Sequence, residues 1–366
     1  MTNGDDRNNR RTTAPYSGSE RHPTLQLTPE QREKIPSIAE SVRALRSELA
    51  QRIVGQDLVV SQVLAALLAE GHCLMVGVPG LAKTLLISAV ADLISLDFKR
   101  IQFTPDLMPT DITGSTVIRQ DKSGRRDFHF MRGPIFANLI LADEINRTPP
   151  KTQAALMEAM EERQISGGGR QLSLERPFFV LATQNPIEQK GTYPLTVSQL
   201  DRFLFNIDID YPTTPEEFRI LVLTTSTYEP RTSQVFERET ILEWIDVARR
   251  ISLDVSVMDY IARLVRATRP DEPSAPAIVR EQVSWGAGPR AAQSLMSGAR
   301  AIALMAGRDH VLFEDVNAIV LPTLRHRIVL SYYATAEGGE PDDILRVLLK
   351  TLPDTSPAPL AETGKT

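Results

Sequence analysis

The run from Cys73 to Thr84 constrains the fold most strongly, because four apolar residues lead directly into a glycine-containing turn that ends in Lys-Thr. A bound phosphate needs inward N–H donors, a helix amino terminus, a lysine and a hydroxyl for Mg²⁺, and this turn supplies all of them. Glycine usually precedes the lysine, whereas Ala82 stands there, and alanine resists a positive φ. An ordinary strand-turn-helix with an exposed lysine is the alternative. The predicted phosphate loop consists of Gly77, Val78, Pro79, Gly80, Leu81, Ala82, Lys83 and Thr84.

Around this loop, predicted strands alternate with predicted helices up to about residue 211. Short apolar runs end at Ala142 and Ala182, an alternating strand lies at 98–103, and 206–211 is the last strand. This order indicates an α/β fold with a mostly parallel sheet flanked by helices. An insertion at 104–136, expected to be a hairpin or a kinked helix, and a hairpin at 164–177 interrupt it.

From residue 212 onward only helical patterns are recognised, so a second, all-α domain is predicted. A capping pattern, Ser37-x-x-Glu40, predicts that the first helix begins at Ser37. The expected organisation is a disordered segment at 1–35, an α/β domain at 36–211, a helical domain at 212–352 and a flexible tail at 353–366.

Polar side chains follow two of the buried strands, at the points where these strands end. Asp143 and Glu144 come directly after Leu139–Ala142, and Asn185 comes soon after the next apolar run. In an open parallel sheet, ligands bind beyond the carboxyl ends of the strands, where the phosphate loop also lies. Asp143 is therefore a candidate Mg²⁺ ligand beside Thr84, and Glu144 a candidate for orienting the attacking water. Asn185 can donate and accept hydrogen bonds at the γ-phosphate, although a simple turn residue before Pro186 is the alternative.

Two arginines complete the candidate set. Arg202 follows a short predicted helix before the last strand, and Arg290 opens a helix of the second domain. A guanidinium near a γ-phosphate stabilises charge in the transition state, whether it comes from the same chain or from another one. A lone arginine is more often a surface ion pair, so both assignments depend on the rest of the set.

Composition excludes several classes of protein. A formal net charge of -5 argues against a protein that coats nucleic acid or an anionic membrane through its overall field. One cysteine permits no intrachain disulfide, and no apolar run reaches the roughly 18 to 20 residues of a membrane span. A cytoplasmic location is expected.

Four segments together resemble the MoxR family of AAA+ ATPases, over about residues 36 to 330. Alanine before the lysine is common in that family, so Ala82 favours the match. The segments that carry the resemblance are Gly77–Thr84, Gln102–Gly114, Asp143–Met160 and Ala182–Pro186.

The resemblance implies a role for each candidate residue. Lys83 and Thr84 would form Walker A, Asp143 and Glu144 Walker B, and Asn185 sensor 1. Arg202 would be an arginine finger that reaches a neighbouring subunit, and Arg290 would be sensor 2. Ile53 and Val54, in the segment Ile53–Gln56, would line the adenine.

The implied activity is hydrolysis of Mg-ATP that drives chaperone-like remodelling of partner proteins. The family implies a ring, commonly a hexamer, and often a partner with a von Willebrand factor A domain. A chelatase-type cofactor-insertion motor, a DNA-acting motor and a non-hydrolysing scaffold remain alternatives. The acidic composition weighs against the DNA motor, and the presence of Glu144 and Asn185 against the scaffold.

Overall fold

The computed structural model describes residues 26–120, 126–167, 169–187, 191–225 and 236–352. In chain order, the elements of the first part are α1 (Pro29–Arg52), α2 (Asp57–Leu68), β1 (Cys73–Val76), α3 (Lys83–Ile94), β2 (Phe98–Gln102), α4 (Pro109–Thr113), β3 (Gly114–Gln120), β4 (Arg126–Arg132), β5 (Leu139–Asp143), α5 (Pro150–Glu162), β6 (Gln164–Gly167), β7 (Arg170–Ser173), β8 (Phe179–Gln184), α6 (Val197–Leu200) and β9 (Phe205–Asp208).

Five strands form one parallel sheet in the order β2-β5-β8-β1-β9. Strands β5 and β8 are almost continuously apolar, as expected of parallel strands that are covered on both faces. Successive residues alternate between two cores: Leu141 packs with the helices on one face, whereas Ala142 packs with those on the other. All carboxyl ends therefore meet at one edge, and the predicted α/β fold is confirmed.

The second part of the chain is helical. It contains α7 (Thr214–Thr225), α8 (Arg238–Ala248), α9 (Val255–Ala267), α10 (Ala277–Gln282), β10 (Val283–Trp285), α11 (Pro289–Met305), α12 (Phe313–Leu324), β11 (Val329–Leu330), α13 (Tyr332–Ala336) and α14 (Pro341–Thr351). Helix α11 contacts α1, α2, α9 and α12, so the apolar core of the helical part continues into one face of the sheet.

Two expectations need correction here. The segment predicted to be entirely helical also contains an antiparallel ribbon, in which Val283 pairs with Leu330. The first helix begins at Pro29 rather than Ser37, so residues 29–35 are helical and not disordered. Thr28 and Gln31 form the capping box, whereas the hydroxyl of Ser37 donates to the carbonyl of Lys34 within the helix. The predicted disorder of residues 1–25 and the tail at 353–366 lie outside the described residues.

Two hairpins project from the sheet core. The segment 104–136 contains the short helix α4 followed by the antiparallel pair β3 and β4. Strands β6 and β7 form the second hairpin, within 164–177. The side chain of Phe130 lies against Gly167, where a Cβ atom would approach the ring to 2.6 Å, so the two hairpins contact each other.

Candidate functional site

The phosphate loop leaves β1 at the carboxyl edge of the sheet and ends at the amino terminus of α3. Gly80 has φ 88° and Ala82 has φ 55°, so both adopt left-handed backbone. Ala82 therefore adopts a left-handed conformation, which costs an alanine about 1 to 2 kcal/mol. The Lys83 ammonium folds back and donates to the carbonyl of Gly77. Burial lowers the pKa of Lys83, and the carboxylates of Asp143 and Glu144 oppose that shift.

Asp143 ends β5 beside the phosphate loop and is held from two sides. Its Oδ1 accepts a hydrogen bond of 2.6 Å from the hydroxyl of Thr183 on β8. Its Oδ2 accepts one of 2.6 Å from the Arg100 guanidinium on β2. Because Arg100 and Thr183 lie on the two strands that flank β5, the carboxylate has a fixed position in the cavity.

Glu144 follows with φ 57°, a conformation that turns the chain sharply at the strand end. Its N–H donates to the same Thr183 hydroxyl at 2.9 Å. Its carboxylate Oε2 accepts hydrogen bonds of 2.8 Å from Gln102 and of 2.8 Å from Arg147. Thr183 thus orients both acids, while Gln102 and Arg147 hold the charged end of Glu144.

One cavity of about 480 Å³ is lined by Lys83, Thr84, Asp143 and Glu144, and Asn185 completes its wall. Asn185 is buried, and its side-chain oxygen accepts from the N–H of Ile187 at 3.2 Å. The sequence-predicted Lys83, Thr84, Asp143, Glu144 and Asn185 therefore come together, from three neighbouring strands. Val78 instead packs against the core.

A second cavity, of about 520 Å³, adjoins the first at Gly80, Leu81 and Ala82. Ile53 and Val54 line it, as the resemblance implies. Other apolar walls come from the strand end and from α7, which sequence reasoning missed; these residues are Ile209, Tyr211, Ile220 and Leu223.

Polar groups at the entrance to this second cavity fix its shape. The Gln56 amide donates to the Leu81 carbonyl at 3.1 Å, while its Oε1 is buried without a hydrogen-bond partner among the described residues. Gly55 has φ 75°, and a Cβ there would lie 2.4 Å from the carboxyl carbon of Glu216. The positive φ favours glycine at this position, and the loop after α1 lies close to the Glu216 side chain of α7.

Arg202 and Arg290 lie elsewhere. Both contact Glu161 at the end of α5, Arg202 at 2.8 Å and Arg290 through a short ion pair. They line a separate cavity of about 260 Å³ that includes Gly71 and His72, the residues just before β1. The arginine pair therefore lies near the amino edge of the sheet, opposite the phosphate loop. Within one chain, Arg290 and Lys83 line separate cavities.

The buried side chain of Arg327 anchors the arginine pair. It is 3% exposed and donates to the Asp201 carboxylate at 2.7 Å and to the Phe203 carbonyl at 2.7 Å. It also donates to the hydroxyl of Ser294 on α11 at 3.1 Å. Asp201 and Phe203 flank Arg202, and α11 carries Arg290. Arg327 therefore links the segment that holds Arg202 to the helix that holds Arg290.

Comparisons with known proteins identify the family of this chain. The model of the ATPase family associated with various cellular activities (AAA) matches residues 72–205, and the AAA lid domain model matches residues 275–348. A Mycobacterium tuberculosis protein named Chaperone MoxR1 is 43% identical over 314 residues, covering 85% of this chain and 82% of that protein. The chain belongs to the MoxR family of AAA ATPases. Membership implies nucleotide binding.

Two further relatives extend over most of this MoxR family chain. The Methylorubrum extorquens protein named MoxR is 30% identical over 330 residues, covering 84% of this chain and 93% of that protein. The crystal structure of a candidate ATPase from Cytophaga hutchinsonii superposes with a TM-score of 0.82 at 37% identity, covering 88% of this chain and 98% of that one. In the described parts of the chain, no helix has the length and apolar character needed to cross a membrane.

Proposed function

We propose that this MoxR family chain binds and hydrolyses Mg-ATP, and that the cycle drives remodelling or maturation of partner proteins in the cytoplasm. The observation that carries the proposal is the meeting of Lys83, Thr84, Asp143, Glu144 and Asn185 in one cavity that adjoins an apolar pocket. In this proposal the first cavity would hold the triphosphate and the second the purine. The orphaned Gln56 Oε1 is an acceptor suited to an exocyclic amino group.

The oxygen donors at the cavity suit Mg²⁺, which prefers carboxylate, hydroxyl and phosphate oxygen. The Thr84 hydroxyl and the Asp143 carboxylate would hold the ion, and the ion would neutralise phosphate charge. Glu144 accepts a proton from the attacking water, Asn185 orients the γ-phosphate, and the Lys83 ammonium leaves Gly77 to bind phosphate oxygens. Each of these steps uses a residue that lines the cavity.

The site needs another subunit. Among the described residues, Arg100 is the only arginine that lines the phosphate cavity, and it is bound to Asp143. Arg202 and Arg290 face the opposite edge, about 13 Å away for a four-residue strand. We propose that they reach the nucleotide of a neighbouring copy in a closed ring, a hexamer. Each chain carries the phosphate cavity at one edge of the sheet and the two arginines at the opposite edge. The contact between two copies is therefore head-to-tail, and a series of such contacts that closes on itself forms a ring.

The partner assignment rests on the family alone. The Mycobacterium tuberculosis relative is named a chaperone, and we propose a chaperone-like role here, with a von Willebrand factor A domain protein as partner. Capture of partners on a Glu144→Gln variant held in the ATP state, with identification by mass spectrometry, tests this. Recovery of nucleic acid in place of protein would contradict the remodelling role.

The hydrolysis proposal is tested with Glu144→Gln. We expect ATP affinity to be retained while turnover falls by about 10² or more, because the variant cannot accept the proton from water. Glu158→Gln, an exposed acid on α5, is the matched control. ATP binding measured by calorimetry and phosphate release measured by absorbance separate the two effects. Unchanged turnover in Glu144→Gln would remove Glu144 from the reaction.

A further inference from the structure

The contact between Glu161 and the two arginines has a particular arrangement. Oε2 of Glu161 meets Nη2 of Arg202 at 2.8 Å, and Oε1 meets Nη2 of Arg290. One carboxylate therefore bridges two guanidinium groups, with one oxygen for each. The exposed fraction of the side chain is 39% for Glu161, 27% for Arg202 and 47% for Arg290, so a ligand from solvent can reach the two arginines.

This arrangement is the one that two arginines adopt around an anion with several oxygens, such as a phosphate. The other acids lining the same cavity are already engaged. Glu70 is buried under Arg163, Arg176 and Arg249, and Asp201 is bound to Arg327. Among the described residues of this cavity, Glu161 is thus the carboxylate that neutralises the arginine pair.

We propose that Glu161 is an internal substitute for the phosphate of a neighbouring subunit. It holds Arg202 and Arg290 as a preformed pair in the isolated chain, and it competes with the incoming triphosphate for both. Release of Glu161 accompanies assembly around nucleotide. The inference rests on the proposed function of the two arginines in a second copy of this chain, and it assigns Glu161 as a positioning residue.

The competition predicts a gain on removing the charge. Glu161→Gln keeps the size of the side chain but loses the carboxylate, so the arginines are free for the phosphate. We expect the protein concentration for half-maximal assembly with ATPγS to fall about threefold to tenfold, the range for two partly exposed charge-assisted contacts. Sedimentation velocity measures it, and Glu162→Gln, the adjacent acid on the same turn, is the control.

A second variant and a second background make the test specific. Glu161→Asp keeps the charge on a shorter side chain and should give an intermediate shift. In an Arg202→Ala/Arg290→Ala background, Glu161→Gln should no longer change assembly, because the groups it competes for are absent. Circular dichroism melting establishes that each variant is folded.

The outcomes are distinguishable from failure of the proposed function. If wild type does not bind ATPγS, or if Arg202→Ala subunits leave wild-type neighbours fully active in mixtures, the proposed function itself is wrong. If those tests succeed while Glu161→Gln matches Glu162→Gln or assembles less readily, the competition is refuted. Complete loss of assembly in Glu161→Gln would refute the competition as well, and would make Glu161 a required part of the interface.

Discussion

Replacement of Arg327 by methionine tests the support of the arginine pair. The methionine fills similar space but provides none of the hydrogen bonds that Arg327 gives to Asp201, Phe203 and Ser294. Burial lowers the pKa of Arg327 and its bond to Asp201 opposes this, so the charge is kept in place by its partners. The change leaves the Asp201 carboxylate without its counter-charge.

The magnitude follows from burial and from the number of partners. Removing one member of a buried ion pair costs about 3 to 5 kcal/mol. The Asp201 side chain is 28% exposed and can be partly rehydrated, and the Phe203 carbonyl retains its contact with His326 at 3.1 Å. We therefore expect the lower part of that range, about 3 kcal/mol, for Arg327→Met.

Equilibrium urea denaturation followed by circular dichroism gives the change in unfolding free energy. Because a chain of this size need not unfold in two states, the dependence of that free energy on urea concentration is compared between variant and wild type. The matched control is Arg346→Met, because the exposed guanidinium of Arg346 forms ion pairs with Asp342 and Asp343 that should be worth under about 1 kcal/mol. Mixed with wild type, Arg327→Met should also lower the ATPase activity of its neighbours. If Arg327→Met lowered the unfolding free energy by no more than Arg346→Met does, the proposed support of the arginine pair by Arg327 would be refuted.

Three further predictions concern single side chains. Gln102→Ala removes a donor from the Glu144 carboxylate, so we expect basal ATP hydrolysis to rise by about fivefold, measured by phosphate release. Ala82→Gly relieves left-handed strain but adds unfolded-chain entropy, which predicts about 0.5 to 1 kcal/mol of added stability by urea denaturation. Burial lowers the pKa of His72 to about 4, so the unfolded chain binds a proton first as pH falls from 6.5 towards 4, and stability decreases by up to about 1.4 kcal/mol per pH unit. The unfolding free energy, measured by urea denaturation between pH 6.5 and pH 4, should decrease less steeply with pH in His72→Gln than in wild type. Equal slopes in the two proteins would contradict the attribution to His72.

Sequence patterns predicted the phosphate loop and the strand ends because these depend on neighbouring residues. Gly77–Thr84 is a local motif, and Asp143 and Asn185 each follow an apolar run. Once the strands are parallel, their ends meet at one edge whatever their order. The convergence of the candidate site was thus predictable without knowledge of the strand order.

The residues that were missed depend on strand order and on packing of distant segments. Gln102 lies opposite Asp143 only because β2 pairs with β5, and Thr183 reaches both acids only because β8 is the other neighbour of β5. Glu161 and Arg290 are brought together by the packing of the helical part. The sequence pattern placed the capping box of the first helix at Ser37, whereas the structure has it at Thr28.

Helix α5 spans 13 residues, about 20 Å, from just after Glu144 to the turn that carries Glu161. This one helix therefore connects the segment that follows Glu144, through the Gln153 amide that donates to the Ile145 carbonyl at 3.2 Å, with the arginines that are proposed to act on the next subunit. In the proposed ring this helix would couple the nucleotide site of each subunit to that of the neighbour which its arginines contact. Because linkage between two binding sites is reciprocal, the nucleotide state of that neighbour would act back on the first site with the same free energy.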